Sequence, residues 1–116
     1  MIVDDSPDLR VLIKQALELD GLEVEAAESG EEACRLIEGG SRPAVILLDL
    51  MMPGIGGRGF LKWIKERDDV SDIPVVILSA SNLNTTLDGA ERFLRKPVDL
   101  NELLDVVGHH VHGNPG

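Results

Sequence analysis

The sequence AVILLD at residues 44–49 runs five apolar residues directly into an aspartate. Apolar and polar positions do not alternate here, which is typical of a central strand in a parallel sheet that carries helices on both faces. An aspartate on an otherwise apolar strand costs free energy to bury, because its charge leaves water. Asp49 is therefore the first candidate for a functional residue.

Strand-like and helix-like segments alternate along the sequence. Helical stripes of apolar residues begin after capping residues, such as Ser6 before Pro7 and Ser29 three positions before Glu32. Strands that alternate with helices favour a parallel sheet with right-handed crossovers. The sequence therefore predicts a doubly wound α/β domain with five strands, at residues 1–4, 22–26, 44–48, 74–78 and 93–95.

The helical pattern is weakest between the fourth and fifth predicted strands. Residues 81–88 are rich in Ser, Asn and Thr and contain two apolar side chains. Ser, Asn and Thr are poor helix formers, because their side chains compete for backbone hydrogen bonds. The fourth helix is therefore expected to be shortened or irregular.

Composition narrows the class of protein. The 116 residues suffice for one domain, and 11 basic against 21 acidic residues give a net charge of −10. This negative charge argues against direct binding of nucleic acid or of an anionic membrane. Cys34 is the single cysteine, which excludes an internal disulfide and fits a reducing cytoplasm. We expect one acidic cytoplasmic domain that spans residues 1–116.

Polar groups follow four of the five predicted strands. Asp4 and Asp5 end the first strand, Asp49 the third, Ser79 the fourth and Lys96 the fifth. The carboxyl ends of parallel strands meet at one edge of the sheet, where doubly wound domains bind their ligands. We therefore expect these five side chains to converge on one site.

The chemistry of that site follows from its charges. Three carboxylates in one cluster repel, by about 3 kcal/mol per pair at an effective dielectric constant near 20, and Lys96 offsets one of them. Oxygen ligands without His or Cys suit Mg²⁺. Mg²⁺, the Lys96 ammonium and the Ser79 hydroxyl could together stabilise a phosphoryl group in transfer, with Asp49 as the nucleophile.

The sequence resembles the response-regulator receiver domain of bacterial two-component signalling, whose motifs it carries in the same order through nearly the whole chain. The matching motifs are Val3-Asp4-Asp5-Ser6, Leu47-Leu48-Asp49-Leu50-Met51-Met52-Pro53-Gly54, Leu78-Ser79-Ala80, Gly89-Ala90 and Phe93-Leu94-Arg95-Lys96-Pro97. The resemblance implies a flavodoxin-like sheet with strand order 2-1-3-4-5. It also implies that Asp49 accepts a phosphoryl group from a phosphohistidine of a sensor histidine kinase or a phosphotransfer protein.

The resemblance further implies a ligand set for Mg²⁺. Asp5 would bind the ion directly and Asp4 largely through water, with Asp49 and the backbone carbonyl of Met51 as further ligands. These residues match the family's motifs position by position.

The remaining matched positions imply how phosphorylation is read and removed. Lys96 and Ser79 would contact the phosphoryl group, and Phe93 matches the aromatic switch residue that moves inward with Ser79. From the residues alone, Phe93 could equally be part of the core. Met51 and Ser81 fall at the variable positions that tune dephosphorylation.

One spacing departs from the family. Ser79 and Lys96 are seventeen positions apart, which is short by more than one helical turn, and the missing residues fall in the fourth helix. The family commonly signals and dimerises through its fourth helix, fifth strand and fifth helix. Dimerisation and the docking of a downstream protein target by that route are therefore open.

Three other classes of protein use related features. A haloacid-dehalogenase-like phosphatase or phosphotransferase also combines Asp, Ser or Thr, Lys and Mg²⁺, but it needs a second acidic residue where this sequence has Met51. A flavodoxin-like electron carrier is disfavoured, because three aromatic residues are few to enclose a flavin. A phosphate-independent interaction module with the receiver fold is the further alternative. The domain is not expected to be an enzyme beyond its own phosphorylation and dephosphorylation.

Two clusters carry weaker signals. His109, His110 and His112 could bind a metal, but histidines are common at fraying helix ends. The glycines at residues 54–59 resemble a phosphate cradle, but they lack the Lys-Ser/Thr of a P-loop and the G-x-G-x-x-G pattern. We expect neither cluster to be a functional site.

Overall fold

The computed structural model describes residues 1–79 and 89–111. Among them, none of the helices is both long and apolar enough to cross a bilayer. The predicted fourth helix, residues 81–88, lies outside the described residues, and α4 is the helix predicted after the fifth strand. The described elements are β1 (Ile2–Val3), α1 (Pro7–Leu19), β2 (Ala26–Ala27), α2 (Gly30–Glu38), β3 (Ile46–Asp49), α3 (Gly56–Lys65), β4 (Val75–Ser79), β5 (Ala90–Arg95) and α4 (Leu100–Val111).

The five described strands form one parallel sheet in the order β2-β1-β3-β4-β5. This confirms the predicted doubly wound architecture. β3 lies at the centre, between β1 and β4, and all four of its residues are buried. The strand order reverses between β1 and β3, which is the position where such sheets leave a crevice for ligands.

The second strand is shorter than the alternating pattern predicts. The pattern predicts a strand over residues 22–26, whereas the structure has β2 at Ala26–Ala27. β1 pairs Ile2 with Ala26 and Val3 with Ala27, and the N–H of Ile2 also donates to the carbonyl oxygen of Glu25 at 2.9 Å, but the pairing with the described strands does not extend to residues 22–24. Alternation reports that one side of a segment is buried, and this side does pack on the core. Alternation alone does not supply backbone partners along the whole segment, so the predicted length of the second strand was wrong.

The first two helices begin at the predicted capping residues. The Ser6 hydroxyl accepts a hydrogen bond from the N–H of Leu9 at 3.4 Å, and the Ser29 hydroxyl accepts one from Glu32 at 3.0 Å. Each cap satisfies a backbone N–H that the helix leaves unpaired, for about 0.5–2 kcal/mol. The Ser6 cap makes α1 start directly after the two aspartates that follow β1.

The core consists of two apolar clusters, one on each face of the sheet. Ile46 and Leu48 of β3 enter the cluster that α2 and α3 cover, and Leu47 enters the cluster that α1 and α4 cover. Successive side chains of a strand point to opposite faces, so both faces of β3 must be apolar. This explains the unbroken apolar run of residues 44–48.

Phe60 provides a test of the larger cluster. Its side chain on α3 is 0% exposed, whereas Leu19 on α1 is 90% exposed. Phe60→Ala should lower the free energy of unfolding by about 3–5 kcal/mol, because it removes buried area and leaves a cavity. Leu19→Ala should change it by less than about 0.5 kcal/mol. Denaturant unfolding followed by circular dichroism measures both, and equal losses would contradict the assignment of Phe60 to the core.

Candidate functional site

The register of the sheet brings three of the strand-end residues to the same edge. β3 ends with Asp49, which lies opposite Leu78 in β4, and β4 ends one residue later with Ser79. The backbone N–H of Lys96 donates a hydrogen bond to the carbonyl oxygen of Ser79 at 2.8 Å. Lys96 therefore lies just beyond β5, beside the ends of β3 and β4, and its peptide bond to Pro97 is cis.

Asp4 is held at the same edge by the turn after β1. Its side chain is 0% exposed, and its Oδ1 accepts a hydrogen bond from the N–H of Ser6 at 2.8 Å. Its backbone carbonyl accepts one from the Arg10 guanidinium at 2.7 Å. Since Ser6 also caps α1, one short turn both starts the helix and orients the carboxylate.

The ammonium group of Lys96 lies between two buried carboxylates. Its Nζ is 2.9 Å from Oδ2 of Asp4 and 3.4 Å from Oδ1 of Asp49. Burial by itself lowers the pKa of Lys96, but the hydrogen bond to Asp4 and the negative charges of Asp4 and Asp49 outweigh it, so the pKa is raised. Lys96 is therefore protonated at neutral pH and offsets one of the two negative charges.

The Asp49 carboxyl group has an elevated pKa. Burial is the main cause, since Asp49 is 3% exposed, and the negative charge of Asp4 raises the pKa further. The N–H of Met51, which donates to Oδ1 at 3.2 Å, and the charge of Lys96 lower the pKa without cancelling the rise. The native fold thus holds the ionised carboxylate at a cost in stability.

Asp5 completes an acidic cluster with Asp4 and Asp49. One carboxylate oxygen from each of the three residues lies within 4.8 Å of the other two. Asp5 is exposed, so the cluster is open to solvent on one side. Mg²⁺ binds one or two protein carboxylates and keeps several waters, and a solvent-facing set of hard oxygen donors fits that preference. The residues present therefore fit the predicted ion.

Gly57 and Arg10 hold the site in place, a role that the sequence analysis assigned to neither residue. A Cβ on Gly57 would strike the carbonyl oxygen of Asp49 and lie 2.7 Å from the Cα of Leu50. The start of α3 therefore packs against the end of β3 more closely than any residue other than glycine at position 57 would allow. The sequence does carry a signal for Gly57, since a glycine inside a helix lowers its stability and calls for a reason. Arg10 carries no comparable signal.

The residues that the resemblance assigns to switching are placed differently. Phe93 pairs with Ile77 across β4 and β5, and its ring is half-buried against the core. A half-buried ring is compatible both with core packing and with a switch. Met51 is 73% exposed beside Asp49. Ser81 lies outside the described residues.

Two of the three histidines near the end of the sequence, His109 and His110, lie in the described part of α4. His109 and His110 contact each other edge to face at the end of α4, with ring centroids 5.4 Å apart. In the described ranges, neither belongs to a group of three potential metal ligands. His112 lies beyond those ranges.

Comparisons with known proteins point to one family. A family model described as the response regulator receiver domain matches residues 1–108. The two-component response regulator ORR7 of Oryza sativa subsp. japonica is 38% identical over 103 residues, which is 84% of this chain and 49% of that protein. The response regulator MprA of Mycolicibacterium vanbaalenii is 36% identical over 109 residues, 90% of this chain and 46% of that protein. The chain spans about half the length of these curated relatives.

Solved structures give the same result for the fold. The signal receiver domain of a histidine kinase from Syntrophus aciditrophicus matches with a TM-score of 0.87 and 30% identity, covering 98% of this chain and 89% of that one. A putative response regulator from Chloroflexus aurantiacus matches with a TM-score of 0.86 and 28% identity, covering 96% of this chain and 94% of that one.

The raised pKa of Asp49 predicts a dependence of stability on pH. The folded protein binds the Asp49 proton more tightly than the unfolded chain does. The free energy of unfolding therefore falls as the pH rises from about 3.9, the ordinary pKa of an aspartate, through the raised pKa of Asp49. Asp49→Asn removes that cost, so the variant should be the more stable protein at pH 7. Its advantage should shrink on acidification and vanish below about pH 3.9. Urea unfolding of both proteins across this pH range measures the difference in stability, and a variant less stable than wild type at pH 7 would refute the prediction.

Proposed function

The chain belongs to the response regulator receiver domain family of two-component signalling, and we propose that Asp49 is its phosphoacceptor. The observation that carries the proposal is the setting of the Asp49 carboxylate, which ends the central strand with the ammonium of Lys96 3.4 Å from its Oδ1. Receiver domains of this family take phosphoryl groups from histidine kinases. The proposed donor is therefore a phosphohistidine of a sensor histidine kinase or of a phosphotransfer protein.

The proposed reaction is attack of an Asp49 carboxylate oxygen on the phosphorus atom. A new P–O bond forms as the P–N bond to the donor imidazole breaks, and the imidazole nitrogen keeps the electron pair. The N–H of Met51 donates to Oδ1 of Asp49 and so restrains the plane of the attacking carboxylate. Such restraint lowers the entropy cost of reaching the reactive geometry.

Lys96 and Ser79 are proposed to stabilise the oxygens of the transferred group. The Lys96 ammonium already contacts the Asp49 carboxylate, so it can reach an oxygen of a phosphoryl group bound there. Ser79 ends the neighbouring strand and could donate its hydroxyl to another oxygen. Preorganised donors of this kind are worth most in a site that is partly closed to water.

Asp4, Asp5, Asp49 and the backbone carbonyl of Met51 are the groups that would hold Mg²⁺. The ion, when bound, supplies positive charge that stabilises the phosphoryl oxygens. In its absence the three carboxylates repel an incoming phosphoryl dianion, and Lys96 offsets one of their charges. Phosphorylation is therefore expected to require Mg²⁺.

The consequence of phosphorylation is proposed to be a change in protein binding. Ser79 and Phe93 lie on the adjacent strands β4 and β5, so a movement of Ser79 toward the phosphoryl group could be passed to the ring. We propose that residues 1–116 act as one cytoplasmic receiver domain. Its catalysis would be confined to its own phosphorylation and dephosphorylation.

Asp49→Asn tests the phosphoacceptor. Wild-type protein incubated with phosphoramidate and Mg²⁺ should gain the mass of one phosphoryl group, stable in acid and labile in base. Asp49→Asn should gain none, because an amide oxygen is a poor nucleophile, and wild type without Mg²⁺ should gain little. Intact-mass spectrometry measures all three.

Three outcomes would contradict the proposal. An adduct of the same yield in Asp49→Asn would place the phosphoryl group elsewhere. Multiple-turnover hydrolysis of simple phosphate esters would favour the phosphatase class instead. An unlabelled but folded wild-type protein, tested also with phosphorylated histidine kinase, would favour a phosphate-independent interaction module.

Lys96→Ala tests the stabilisation of the phosphoryl group. The variant should form the adduct about a hundredfold more slowly, because one preorganised positive group is lost. Lys62→Ala is the matched control, since Lys62 is exposed on α3. Rates come from the time course of the mass adduct, and circular dichroism checks that both variants are folded. Equal rates for the two variants would exclude this role for Lys96.

A further inference from the structure

The segment that follows Asp49 breaks the local rules of helix formation. Ile55 is the residue before α3, where Ser, Thr, Asp or Asn is preferred, and it makes no side-chain cap. The helix then starts with Gly56, Gly57 and Gly59, the residue type least suited to a helix apart from proline. Violations of this kind are expected where a close contact or a function outweighs helix stability.

The glycines around Ile55 explain the violation. A Cβ on Gly30, the first residue of α2, would lie 2.8 Å from Cγ1 of Ile55 and 3.0 Å from the carbonyl oxygen of Gly56. A Cβ on Gly59 would lie 3.0 Å from the Cβ of Ile55. The Ile55 side chain is thus seated between the start of α2 and the first turn of α3, in a space that exists because both neighbours lack side chains. We call this space the Ile55 seat, formed by Gly30 and Gly59.

The seat is linked to Asp49 through the loop of residues 50–57. The N–H of Gly57 donates to the carbonyl oxygen of Leu50 at 3.4 Å, which closes the loop, and Gly57 packs against the backbone of Asp49. Inside the loop, the N–H of Met51 donates to Oδ1 of Asp49 at 3.2 Å. Ile55 anchors the far side of this loop to α2, so its position bears on the Met51 N–H and through it on the carboxylate.

We infer that Ile55 is a positioning residue for Asp49. Its side chain, seated between Gly30 and Gly59, holds the loop so that the Met51 N–H keeps the Asp49 carboxylate in its reactive orientation. The inference rests on the proposed role of Asp49 in phosphoryl transfer. Ile55 is 44% exposed, so it contributes less to the core than a fully buried isoleucine would, and its effect on the site can be separated from its effect on stability.

The first test is spectroscopic and does not depend on phosphorylation. In ¹H–¹⁵N spectra, Ile55→Ala should shift the Met51 amide signal and raise its hydrogen-exchange rate about tenfold. The reason is that weakening the Met51 hydrogen bond by about 1.4 kcal/mol makes local opening about ten times more frequent. Ile55→Val keeps the branched side chain and should stay within about twofold of wild type. Leu19→Ala, on the exposed face of α1, should leave the Met51 amide unchanged.

Gly30→Ala approaches the same seat from the opposite side. Alanine is the better helix former, yet its Cβ would push on Ile55 and on the carbonyl of Gly56. The variant should therefore disturb the Met51 amide as Ile55→Ala does, even though α2 itself gains helix propensity. A purely structural role for Ile55 would change the Met51 signal and the thermal midpoint of unfolding together. A positioning role instead changes the Met51 signal without a matching fall in that midpoint.

The second readout is the rate of adduct formation with phosphoramidate and Mg²⁺, a donor that needs no protein contact. Ile55→Ala and Gly30→Ala should both react about tenfold more slowly than wild type, since small misplacements of a reacting group cost rates of this size. If wild type forms no adduct with phosphoramidate or with phosphorylated histidine kinase, the proposed function fails, while the Met51 signal still tests the seat. The inference is overturned if the Met51 amide is unchanged in Ile55→Ala, or if exchange rises equally throughout the domain.

Discussion

Two buried carboxylates share one ammonium group at the carboxyl edge of this sheet, and that charge balance constrains the elements around it. Lys96 lies 92 positions from Asp4 in the chain, yet its Nζ is 2.9 Å from the Asp4 carboxylate and 3.4 Å from that of Asp49. Buried charges are tolerated when they are paired and hydrogen-bonded. The cluster can therefore form where β1, β3 and the end of β5 meet in their native register. A slip of one strand would leave a buried carboxylate unpaired.

The balance is incomplete, and this imbalance is what makes the site suited to chemistry. One cation faces two buried carboxylates, with the Asp5 carboxylate beside them at the solvent side. The raised pKa of Asp49 reports the remaining cost of holding its charge. A divalent cation and a phosphoryl group are ligands that such a cluster would bind in combination. Under the proposed function, the site would thus give up part of the stability of the domain in exchange for affinity toward these ligands.

The loop after Asp49 shows a second exchange of stability for geometry. Glycines at 56, 57 and 59 weaken the start of α3, but Gly57 allows the helix to contact the backbone of Asp49, and Gly59 leaves room for Ile55. These close contacts bring the Met51 N–H to the carboxylate. A helix with stronger formers at these positions would stand farther from β3 and would hold the site less tightly.

Much of this could be read from the sequence, because it depends on local pattern. The apolar run into Asp49 predicted a strand buried on both faces, and Ser6 and Ser29 predicted two helix starts. Parallel strands placed their terminal polar groups at one edge, so the convergence of Asp4, Asp49 and Lys96 was foreseeable as well. The alternation over residues 22–26 misled, because burial of one side does not require a neighbouring strand.

Other features arise from contacts between segments that are distant in sequence or meet at an angle that no pattern encodes. The pairing of Lys96 with both Asp4 and Asp49 depends on strand register, and the bond from Arg10 to the Asp4 carbonyl depends on where α1 lies over the turn. The seat of Ile55 depends on the approach of α2 to α3 within a few tenths of an ångström. Residue types and periodicity thus establish the architecture and the chemistry that is possible at its edge. The orientation of each group comes from packing, because contacts between segments distant in sequence form only once the elements have assembled.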